Sequence, residues 1–152
     1  MRFFLLIIMK KLNLFSTPLQ LLGIVLIIMG ISWMISSEPW MLDKFANEQR
    51  LNMKFEKLFE FEANESLPGY LKQIYKFFGL WVFVIGLFIV SFSRPLFKND
   101  YNLKLNLLVC TGILVYFGMI LAYFWIPSSH FIYLGWLAII FHSASLYAFI
   151  KD

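Results

Sequence analysis

Charge is what this 152-residue chain has least of: 14% of its residues are Asp, Glu, Lys or Arg, against 61% hydrophobic. Soluble domains carry about a quarter charged residues, so an ordinary soluble fold is excluded. Mean hydropathy is +0.75. Cysteine is almost absent. The single Cys110 rules out a disulfide framework or a CxxC pair within the chain, and in its apolar run it reads as a small hydrophobe. There are two histidines, His130 and His142. Twelve residues of helix separate them by ~18 Å, so paired axial haem ligands and a closed zinc site are disfavoured. The net charge of +4 is not a nucleic-acid footprint. The positive residues flank apolar runs, where membrane orientation accounts for them.

Long apolar runs are what the chain does have. Phe131–Ile150 is twenty residues without a formal charge, enough for a helix to cross ~30 Å of hydrocarbon. Within it Gly135, Ala138, His142 and Ser145 share one helical stripe, small except for the imidazole, and are expected to face neighbouring helices. Leu19–Ile35 is a second run, preceded by Thr17-Pro18-Leu19-Gln20, which reads as a capping box with Pro at the first helical position. Its poor match to small-x-small cleavage favours a retained span over a signal peptide. Phe77–Phe92 ends at Ser93-Arg94-Pro95, and Leu105–Ile126 stops at Pro127, with Thr111, Val115, Gly118 and Ala122 as its narrow stripe. The expected fold class is an all-α integral membrane protein: a four-transmembrane-helix bundle in one domain, 1–152. Its spans lie at about 18–35, 77–92, 105–126 and 131–150.

The apolar run Phe3–Met9 is too short to span, and Met9-Lys10-Lys11 reads as a bacterial start, which would leave 1–8 untranslated. Residues 37–66 form a polar loop. There Ser37-Glu38-Pro39-Trp40 resembles a helix start, and Leu51, Phe55, Leu58 and Phe59 make a one-sided stripe. One or two amphipathic helices on the membrane surface, or over the mouth of the bundle, are expected. Glu56, Glu60, Glu62 and Glu65 fit no calcium loop and read as a solvated face. Asn64-Glu65-Ser66 is a glycosylation sequon, meaningful only in a eukaryotic secretory pathway.

Lys and Arg number three at the amino end, three in the connector around 94–104, and none in the 127–130 turn. The 37–76 segment has six, against seven acids. Both termini are therefore expected in the cytoplasm of a bacterial inner (plasma) membrane, with the 37–66 loop external. All five Trp then lie at or toward the external side, either as an interface belt or around an aromatic-lined cavity. Gly23, Gly30, Ser37 and Pro39 recur 56 residues later as Gly79, Gly86, Ser93 and Pro95. Opposed spans with glycines seven apart suit either an inverted repeat or similar packing needs.

The apolar cores carry no Asp, Glu, Lys or Arg, which disfavours a carrier built on a membrane carboxylate. His142 is expected level with Val115. It would there hydrogen-bond Tyr116, Thr111 or a carbonyl as a helix lock, or else meet a bound amphiphile. The Gly-rich first span and the SEPW turn, with four short spans and a tight last hairpin, resemble small DoxX-like bacterial membrane proteins. The resemblance is one of architecture. It implies a link to quinone-dependent redox complexes, but no functional residue carries over. The leading expectation is a non-enzymatic accessory or partner-binding subunit, hetero- or homo-oligomeric, with no catalytic residue, metal or cofactor. The alternative is a lipid- or quinone-binding protein with contacts from Trp81, Trp136, Tyr116 and His142. The third is a small transporter or channel. A reporter fused after Asp152 is expected to read as cytoplasmic; external activity would reverse the orientation.

Overall fold

The computed structural model describes residues 13–97 and 99–151; the expected start at Met9 lies outside them. In chain order come α1 (Ser16–Ile35), a 3-10 turn (Pro39–Asp43), α2 (Lys44–Leu51) and α3 (Phe55–Phe59), then a second 3-10 turn (Glu62–Asn64). After these follow α4 (Leu67–Phe92), a 3-10 turn (Pro95–Phe97), α5 (Tyr101–Trp125) and α6 (Phe131–Lys151). The described residues contain no strand. Four stretches are long and apolar enough to cross a membrane: α1, α5, α6 and Glu62–Phe92, which contains α4.

Helix starts depart from expectation where a better acceptor lies nearby. The Asn13 carboxamide oxygen accepts from the backbone N–H groups of Phe15 and Ser16, at 3.1 and 3.2 Å. The Thr17 N–H already bonds to the Asn13 carbonyl. Thr17 and Gln20 therefore lie inside α1 instead of forming its capping box. Helix α5 starts four residues before the expected span, because the Asp100 side chain accepts from Leu103 N–H at 2.9 Å. Helix α4 starts ten residues before its apolar run, with Pro68 in the first turn.

The tightest packing is between α1 and α4, which run antiparallel. A Cβ on Gly30 would lie 2.6 Å from the Gly79 carbonyl oxygen, and one on Gly23 would lie 2.8 Å from that of Gly86. The reciprocal positions are as close, so the two recurring glycine pairs meet each other backbone to backbone. Helix α6 packs on α1, where Ser145 Oγ donates to the Phe15 carbonyl at 2.8 Å. Helix α5 packs chiefly on α6. The core joins Phe15, just before α1, and Leu19 and Leu22 of α1 to Ile89 of α4 and to Leu108 and Val115 of α5.

The inward stripe of α5 differs from the expected one. Leu108, Thr111, Gly112, Val115 and Met119 are buried, while Gly118 has nothing within 4 Å of a built Cβ. The contact follows the 108–112 and 111–115–119 rows, four residues apart and inclined to the axis, so Gly118 falls off it.

The 37–66 segment folds over one end of the helices. Trp40 and Phe55 are buried, and Phe59 meets both rings at 5.7 and 5.6 Å. Asn47 Nδ2 donates to the Trp40 carbonyl and to Tyr75 Oη, fastening the cap to α4. Leu51 is exposed, since Asn52 takes the left-handed conformation (φ 50°) and ends α2 before the stripe can continue.

Replacing Gly30 or Gly79 with Ala should destabilise the fold by about 1–3 kcal/mol through overpacking, whereas Gly118→Ala should be neutral or better. Reversible unfolding in micelles distinguishes the sites; equal effects would refute the glycine contact.

Candidate functional site

His142 sits where α6 crosses α5, 3% exposed. Its ring is admitted by Gly112, whose built Cβ would lie 3.2 Å from Cε1 and Nε2. Nε2 is 3.0 Å from the Leu108 carbonyl oxygen, and Nδ1 is 3.0 Å from Tyr116 Oη. A carbonyl only accepts, so Nε2 carries the hydrogen; in the neutral ring Nδ1 is then the acceptor and Tyr116 the donor. Both nitrogens are engaged within the protein. Thr111 takes no part in bonding the ring: its hydroxyl donates to the Leu107 carbonyl at 2.7 Å. An apolar groove of about 260 Å³ runs beside the imidazole, lined by Leu105, Leu108, Val109, Ile113, Leu146 and Phe149.

The other residues expected at the site do not join it. Trp136 Nε1 donates to Tyr123 Oη at 3.3 Å, and the two rings stand edge to face. Trp81 is 63% exposed on α4. No hydrogen bond or ring contact among the described residues links either Trp to His142. Aromatic spacing alone does not reveal which side of a helix its neighbours occupy.

A second constellation lies under the cap. His130 Nδ1 is 3.1 Å from the carboxylate of Asp43, which is buried, so the hairpin turn between α5 and α6 is tied to the first 3-10 turn. Ser129 Oγ accepts from Phe131 N–H and fixes the start of α6 beside it. Trp33, 6% exposed, meets Phe78 of α4 and Phe131 of α6 at 4.9 and 5.2 Å. Between these parts is a cavity of about 220 Å³ lined by Ile28, Met29, Ser32, Trp33, Leu42, His130 and Phe131. Sequence reasoning missed the Asp43–His130 pair. The only available signal was that the first loop and the short turn must share one side.

Lys104, expected in the basic connector, is buried on the first turn of α5. Its ammonium lies 5.1 Å from the Phe15 ring centroid and 5.5 Å from that of Phe149, a cation–π contact at the amino end of α1. Among the acids, Glu56 meets Lys44 Nζ at 2.6 Å. That bond holds the exposed carboxyl below its usual range and raises the ammonium. No group of three His, Cys, Asp or Glu that could hold a metal occurs among the described residues.

Comparison with protein-family models, with curated proteins and with solved structures gives no match.

The geometry makes His142 a lock between α5 and α6. His142→Ala should lower stability, and a double-mutant cycle with Tyr116→Phe should give a coupling of ~0.6–1.7 kcal/mol. Additive effects in the cycle would show that the bond does not hold the helices.

Proposed function

We propose that this chain is a non-enzymatic integral membrane protein, inserted with both termini in the cytoplasm, that serves as an accessory subunit for another membrane protein. The observation that carries the reading is how little of the apolar surface the chain covers by itself. In the most apolar stretch of each candidate span, 17–28% of residues are buried. Lipid can cover most of the remainder, but one feature of α5 suits a helix better. Cys110, Leu114, Gly118 and Leu121 follow an exposed helical line, and Gly118 leaves a gap among large side chains into which a second backbone can approach.

The polar interior argues in the same direction. His142, Ser145 and Thr111 each bond to carbonyls or side chains of the chain itself, which supports a structural role for them. The apolar cores carry no Asp, Glu, Lys or Arg, and the ionisable groups buried at or near them, His142 and, at a helix end, Lys104, are held by contacts within the chain. Partner binding needs no coupling residue.

Native mass spectrometry of tagged protein, extracted in a mild detergent from cells that make it naturally, is expected to show a heteromeric mass. Gly118→Trp should abolish that mass while helix content stays unchanged. A bare monomer, or a heteromer indifferent to Gly118, would overturn the proposal.

A further inference from the structure

We infer that the cavity beneath the cap binds the head of a hydroxyl-bearing amphiphile, with His130 as the polar contact and Asp43 as the residue that positions it. Chemistry narrows the ligand. Ser32 Oγ donates to the Ile28 carbonyl at 2.9 Å, so its hydrogen is committed within α1. The other lining side chains, His130 apart, are Ile, Met, Trp, Leu and Phe. The polar atoms among the lining side chains are therefore those of the imidazole, the Ser32 hydroxyl oxygen and the Trp33 indole N–H, and of these the imidazole is the one positioned by a buried carboxylate.

Asp43 decides how the imidazole presents itself. With Nδ1 donating to the buried carboxylate, the neutral ring keeps Nε2 as an acceptor. An acceptor on a residue lining a largely apolar chamber can take the hydrogen of a ligand O–H, and an aliphatic or aromatic body beside it suits Trp33 and Phe131. The chamber, about 220 Å³, is smaller than the usual 300–1,000 Å³ of drug-sized sites. It has room for a head or a single ring, with the tail outside.

The tail has a path. Ile28 lines the cavity and is 59% exposed, so the chamber opens at the side of α1. From there Ile24 and Leu21 continue the exposed line at helical spacing toward the other end of the helix. An amphiphile held this way has its hydroxyl under the cap and its chain along α1. A glycerolipid hydroxyl and a quinol hydroxyl offer the same chemistry.

The inference rests on the membrane placement proposed above but not on a partner subunit, and its test uses the purified chain alone. The protein is placed in phosphatidylcholine nanodiscs and dialysed against labelled 4-octylphenol or octylbenzene, with empty nanodiscs as reference. Saturable excess binding at one site per chain is expected for the phenol alone. His130→Ala should weaken it about tenfold, the worth of one hydrogen bond to a ring nitrogen. Because that variant also leaves Asp43 unpaired, Ile28→Trp provides the independent check. It fills the chamber from its exposed rim, leaves the Asp43–His130 pair in place, and should abolish the excess. Equal excess for both probes, none for either, or full binding by either variant would overturn the inference. Mass spectrometry of organic extracts from wild-type and Ile28→Trp protein then separates the sources: a retained glycerolipid or a retained quinol, depleted in the variant.

Discussion

The fold depends on a backbone contact. Helices α1 and α4 approach so closely at Gly23, Gly30, Gly79 and Gly86 that a single added methyl at any of these positions would meet backbone or side-chain atoms within 3 Å. Two helices at that distance gain dispersion along their whole crossing, an important term where the surroundings are themselves apolar. Once α1 and α4 are joined, the remaining pieces have defined places. Helix α6 lies on α1, with Ser145 bonded to Phe15, and α5 lies on α6 through the His142 ring.

The two ends of the molecule are closed by different means. At one, the apolar cluster of Phe15, Leu19, Leu22, Ile89 and Leu108 is topped by the Lys104 ammonium over two rings. At the other, Trp33 gathers α4 and α6 around α1, and the polar cap is fixed above it by Asn47 and Asp43. The polar bonds on the cap side join segments distant in sequence, so they hold an arrangement that apolar contact alone would leave loose. That is the setting in which a chamber next to an imidazole persists without collapsing.

The two imidazoles illustrate how position separates structure from recognition. His142 is enclosed, with a partner on each nitrogen, and a ligand reaching it would have to displace one of them. His130 has one nitrogen held by a carboxylate and an otherwise exposed ring tilted against that of Phe131, with centroids 4.2 Å apart. An amphiphile therefore finds an available acceptor under the cap and none at the helix crossing.

The sequence by itself determined the helical class, four stretches able to cross a membrane, and the shared side of the first loop and the last turn. Length, hydropathy and chain direction are local properties, and they leave no other arrangement of ends. The depth match of His142 with Tyr116 was also legible, because a short hairpin reflects one helix onto the next. Tertiary structure alone decided which faces meet. Gly118 and Thr111 lie on nearly the same line of α5, yet one is open and the other buried, since an inclined packing row passes through 111, 115 and 119. It also decided that Asp43 and His130, 87 positions apart in the chain, become neighbours. No periodicity encodes that pair: it exists because the cap and the hairpin turn fold against the same end of the helices.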